Sequence, residues 1–124
     1  MKTLPTLVIG AALACLPVAR AQVPQFLNFQ GRVAVEGVNF NGDGLFKFAL
    51  VNGDASASFW SNDGSSVLGA EPAQAVPVPV AQGLYSVLPG DATLTNMAPI
   101  PATVFTNADV RLRVWFSDGT NGFQ

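Results

Sequence analysis

A chain of 124 residues, with six basic and eight acidic side chains, no histidine and one cysteine, allows one domain and few chemistries. Without histidine, Ser-His-Asp and Cys-His arrangements cannot be built and a zinc site loses its usual ligand. A formal net charge of −2 with no Lys/Arg cluster argues against nucleic acid or an anionic membrane surface as partner.

In chain order, MKTLPTLVIGAALACLPVARA comes first. A lone early Lys2, an apolar run from Leu4 to Leu16 and an Ala19-Arg20-Ala21 ending read as a secretory signal peptide over 1–21, cleaved after Ala21. The run is too short to span a bilayer comfortably, so no membrane span is expected in the mature chain. A rival processing site, Ala12-Leu13-Ala14-Cys15, would lipidate Cys15, but Ala12 stands where such sites usually carry leucine. Cleavage at Ala21 removes Lys2, Arg20 and the cysteine. Four basic against eight acidic side chains remain, a net −4, and no disulfide is available.

Residues 22–124 hold all nine phenylalanines, both tryptophans and the tyrosine, enough apolar surface for a core. Period-two alternation dominates. Gln25 to Val35 reads as a strand, with Gly31 marking a bulge or a close backbone approach. Asn39 to Gly44 reads as a turn cluster. Leu45 to Asn52 is the clearest strand, with Phe46, Phe48 and Leu50 on its core face. After an Asn52-Gly53-Asp54 turn, Ser56 to Ser61 puts Phe59 and Trp60 on opposite faces, and Asn62 to Ser65 reverses the chain.

In VPVPV, Val76 to Val80, the prolines remove N–H donors from one lateral side only, as suits a sheet-edge strand. Leu84 to Leu88 is expected as its hairpin partner. Asp91 to Thr106 reads as a long connection with one helical turn. Asp109 to Phe116 is the last strand, with Val110, Leu112, Val114 and Phe116 inward and Arg111, Arg113 and Trp115 outward. The sum is an all-β chain, an antiparallel β-sandwich of about six or seven short strands over 22–124.

Candidate sites are few. The acidic residues mostly occupy turn signatures, which predicts turn formation rather than paired-carboxylate hydrolysis. Calcium would draw on Asp43, Asp63, Asp118 and Asn121, none of which has the full spacing of a calcium loop. A glycan or surface partner would stack on Trp115, Trp60 or Tyr85, with Arg113 beside Trp115 positioned for a cation–π contact.

Val23-Pro24-Gln25-Phe26-Leu27-Asn28-Phe29-Gln30-Gly31-Arg32-Val33 resembles the opening of a family of secreted bacterial proteins. In that family a β-rich head precedes a tail-fibre-like or collagen-like stalk, and some members end in an endosialidase-type chaperone domain. Phe46–Asn52, Phe59–Gly64, Gly83–Val87 and Val110–Gly119 are similar too. The resemblance implies a non-enzymatic structural or adhesive module, without cofactor, that forms homo-oligomers through a C-terminal stalk. It also implies a sequence truncated after the Asp118-Gly-Thr-Asn121-Gly turn, where a further strand is expected.

Overall fold

The structure, a computed structural model, describes residues 26–124. The expected signal peptide, its Ala21 site and Cys15 lie outside the described residues. Eight strands appear among the described residues: β1 Phe29–Arg32, β2 Ala34–Val35, β3 Val38–Asn39, β4 Gly42–Val51, β5 Ser58–Ser61, β6 Val76–Val80, β7 Leu84–Val87 and β8 Arg111–Ser117. The described residues contain one short 3₁₀ helix, Ala102–Thr106, in the connection where a helical turn is expected. All the strand pairs are antiparallel, and the chain is all-β.

The layout is organised by β4. Along one lateral edge it pairs with β8, from Leu45↔Ser117 to Val51↔Arg111. Its other edge is shared: β6 takes Gly42 to Phe46 and β5 takes Ala49 to Val51. On the front face of this sheet, Phe46, Phe48 and Leu50 meet Val76, Val78 and Val80. The second layer is the β1–β7 ribbon with Met97, Ile100 and Val104 from the long connection. Between the layers the Phe46 and Tyr85 rings lie 4.4 Å apart, and within the sheet the paired Phe46 and Phe116 rings lie 5.1 Å apart, both tilted.

Gly31 has a physical reason to be glycine. It lies opposite Tyr85 in the β1–β7 pairing, and a Cβ there would come within 2.5 Å of the tyrosine hydroxyl. The close approach expected at this position is present.

Four expectations are corrected. Gln25 to Val35 is not one strand: after β1 the chain bends, and β2 and β3 form a separate hairpin around Glu36 and Gly37, both at positive φ. Asn39 to Gly44 is not wholly a turn, because Gly42 to Gly44 begin β4 opposite Val80 to Val78. Gly44 is required there by packing, since a Cβ would come within 2.9 Å of both the Phe46 and Phe116 rings.

The third correction concerns β7. It meets the end of β6 through a two-residue Gln82–Gly83 turn and the bridge Ala81↔Leu84, and then ladders with β1 instead. The prolines explain this. Val76, Val78 and Val80 point their donors at β4, so Pro77 and Pro79 face outward with no N–H to offer a neighbour. The alternation read in VPVPV is right, and for that reason the hairpin expected from it cannot extend.

The fourth correction is Trp115. It is buried, at 7% exposure, on the back face of the sheet together with Ala49 and Val51. Both faces of β4 are covered, and the second cover is Phe123 with the segment around Gly69 to Pro72.

Candidate functional site

Three groups of polar side chains are organised enough to be weighed as sites, and the first lies in the gap between β5 and β6. Neither strand reaches Phe48, so its backbone would be left without a partner on that edge. Asn62 fills the space. Its Oδ1 accepts from the Phe48 N–H at 2.9 Å, and its own N–H donates to the Phe48 carbonyl at 3.0 Å. Its Nδ2 donates to the carbonyls of Gln74, at 2.8 Å, and Asn96, at 3.1 Å.

Asn62 is fully buried, and every polar atom of its side chain is bonded. One amide thus stands in for a missing rung and ties β4 to two loops. Sequence reasoning placed Asn62 only in a turn, and its spacing carries no signal of this role.

The second group is on the back face of β4. Lys47, 6% exposed, donates to Glu71 Oε2 at 2.7 Å and holds its ammonium 4.1 Å from the centre of the Phe123 ring. Beside it the Arg113 guanidinium lies 4.8 Å from the Trp115 ring, the cation–π contact the sequence suggests, and donates to the Gly69 carbonyl at 3.1 Å. Each cation is held by an aromatic face and an oxygen, and both oxygens come from the loop carrying Gly69 and Glu71.

The third group comprises four aspartates in four turns. Asp54, Asp63 and Asp91 each accept both the N–H and the hydroxyl of the residue two positions on, Ser56, Ser65 and Thr93. Asp118 accepts from the N–H groups of Thr120 and Asn121 and from Asn121 Nδ2. The common Asp-x-Ser/Thr spacing is visible in the sequence and encodes this turn.

These bonds favour the ionised carboxyls. The Ser56 and Thr93 hydroxyls hold Asp54 and Asp91 below the usual range, and the Asn121 and Thr120 N–H groups do so for Asp118. At Asp63 burial opposes ionisation, but bonds from Ser65 and from the Gln74 N–H outweigh it.

The residues named from the sequence do not converge. Asp43 sits at the exposed start of β4, Asp63 in the turn after β5, and Asp118 with Asn121 in the C-terminal turn. Among the described residues no group of three or more His, Cys, Asp or Glu side chains is arranged to hold a metal ion. The oxygens of Asp63 and Asp118 face inward to their own turns, on donors that a cation would have to displace.

The aromatic candidates are also committed. Trp60 is 7% exposed, packs in the main core and donates its indole N–H to the Pro99 carbonyl at 3.1 Å. Tyr85 is half-buried over Gly31, and burial raises its hydroxyl pKa. Neither tryptophan offers an open ring face, since the fold needs the same apolar area for its two clusters.

Open clefts lie at the periphery. One of about 320 Å³ follows the outer edge of β6, between Pro77 and Pro79 on one side and Ser86, Leu88 and Leu94 on the other. Another, of about 240 Å³, separates the β2–β3 hairpin from the C-terminal turn. The first exists because a proline edge keeps β7 from closing onto β6.

Comparison with known proteins adds one match. A family model described as "Domain of unknown function (DUF8740)" matches residues 28–123, which span β1 to the C-terminal turn. No curated protein and no solved structure matches the chain.

Proposed function

We propose that this chain, which belongs to the family described as Domain of unknown function (DUF8740), is a non-enzymatic structural or adhesive head module of an exported or cell-surface bacterial protein. One observation carries the reading: the side chains that could do chemistry are used to hold the fold. Four carboxylates close their own turns, the buried amide of Asn62 replaces a strand rung, and Lys47 and Arg113 are clamped on aromatic rings. General acid–base work needs a titratable group aimed at a cleft, and these groups aim at the protein itself.

Export rests on the charge and apolar pattern of residues 1–21, and the head-module role on the motifs that resemble those of stalk-bearing proteins. Such a module works by display and contact, and multimerises when it is carried on a stalk.

The purified domain should show no turnover on glycoside, ester or peptide substrates and should melt at the same temperature with calcium or chelator. Mass spectrometry of the exported product should find Gln22 at its N-terminus. Hydrolysis that disappears in Asp63→Asn, or a calcium-dependent melting temperature, would overturn the proposal.

A further inference from the structure

The cleft between β6 and β7 is held open by the sequence itself. β6 enters and β7 leaves the Gln82–Gly83 turn, and the Ala81↔Leu84 bridge is their last backbone pairing. Continuing that register would set Pro79 opposite Ser86 and Pro77 opposite Leu88, where proline has no N–H to give. What remains is the cleft of about 320 Å³, with Val87, Leu88 and Leu94 on its apolar side.

Its backbone rims are rich in acceptors. Val76, Val78 and Val80 spend their backbone groups on β4, so alternation aims the carbonyls of Pro77 and Pro79 out of the sheet edge and into the cleft. That rim has acceptors and no donor. On the other side, Leu27 donates to the Pro89 carbonyl and Val33 to the Gly83 carbonyl, so odd-numbered residues of β7 face β1. The backbone of Ser86 therefore turns toward the cleft. Among the described residues no backbone N–H reaches the carbonyl of Pro77, Pro79 or Ser86.

The charge is one-sided as well. Asp91 lines the cleft, with Oδ1 committed to Thr93 and no donor on Oδ2 among the described residues. No basic side chain lines the cleft, and neither ion pair among the described residues involves Asp91. A matching occupant brings N–H donors and positive charge on an apolar body. Spacing then decides between cations. Carbonyls two residues apart on one strand edge lie about 6.6 Å apart. One nitrogen bonded to both at about 2.9 Å spans at most about 5.8 Å, so an ammonium reaches only one of them. The two terminal nitrogens of a guanidinium supply the missing width.

We infer that the β6–β7 cleft binds a small organic guanidinium on a short apolar stem, its fork on the Pro77 and Pro79 carbonyls and its charge answered by Asp91. The stem lies against Leu88 and Leu94. The cleft is made by two consecutive strands and a proline pattern, and does not rest on export.

The test titrates butylguanidinium, butylammonium and butyrate into the intact protein, reading affinity and location from NMR amide shifts. Butylguanidinium should bind saturably in the millimolar range, about tenfold more tightly than butylammonium, and butyrate should not bind. The shifts should centre on Ser86, Val87 and Asp91. Asp91→Asn keeps the acceptor that Thr93 uses and should weaken guanidinium binding about tenfold with the rest of the spectrum unchanged. If that variant fails to fold, Ser86→Arg supplies the cation from within the chain and should abolish binding. Equal affinity for the two cations, no saturation, shifts confined to residues outside the cleft, full affinity in Asp91→Asn, or a ligand-free dimer that protects Ser86 would each overturn the inference.

Discussion

The front and back faces of β4 solve the same problem by different means. On the front, Phe46, Phe48 and Leu50 enter a deep apolar layer closed by a second sheet. On the back, Lys47, Ala49 and Val51 are equally hidden, but under one loop, Trp115 and the Phe123 ring. The front is a core in the ordinary sense, where each large side chain contributes through area removed from water. The back is a lid, where small residues and two cations on aromatic faces hold irregular chain against a strand. The contrast teaches that the fold depends on its front face, while the back face governs how firmly one loop is closed.

Substitutions should separate the two faces sharply. Phe48→Ala removes a fully buried ring from the front and should cost about 3–5 kcal/mol, read as a lowered chemical-denaturation midpoint. Asn62→Ala, at the junction of β4 with both loops, strands the Phe48 N–H and two carbonyls and should cost about 2–4 kcal/mol. A loss below about 0.5 kcal/mol there would mean water replaces the amide without penalty.

Acid should act on the turns, which belong to neither face. Asp54, Asp63, Asp91 and Asp118 have folded pKa values below their unfolded ones. Their stabilisation is therefore complete above about pH 4 and is lost as pH falls through the lowered folded values. Denaturation midpoints should be flat from neutrality down to about pH 4 and decline below it. Replacing Asp54 and Asp91 by asparagine keeps the one acceptor oxygen that each of those turns uses and should make the decline shallower.

The smallest change should come from the back face. Lys47→Met keeps the stem packed and removes a cation whose partner, Glu71, is 41% exposed and can return to water. Stability should stay within about 1 kcal/mol, while proteolysis near Gly69 should quicken if Lys47 and Glu71 hold the lid.

How much of this was legible in the sequence depends on the residue. Period-two spacing identified β4 and its Phe46–Phe48–Leu50 face, and the VPVPV prolines identified an edge, because both follow from local geometry. Gly31 signalled a close approach without naming Tyr85. Trp115 was misplaced because alternation says which residues share a face and not whether that face is covered. The cover came from Phe123 and the loop carrying Gly69 and Glu71, distant in sequence. Asn62 was invisible for the same reason: its role exists only because β5 and β6 stop short of each other along β4. Among the candidate sites, the Asp-x-Ser/Thr turns were readable as turns, since their hydrogen bonds span two residues.

Amide exchange at Phe48 puts the account to its most direct test, because that N–H is held by a side chain where a strand would otherwise hold it. In the wild-type domain it should exchange as slowly as its neighbours Lys47 and Ala49, and in Asn62→Ala it should exchange far faster while Lys47 and Ala49 stay protected by β8. Rapid exchange at Phe48 in the wild type, or no change on removing the amide, would contradict the claim that the buried polar groups of this domain are there to build it.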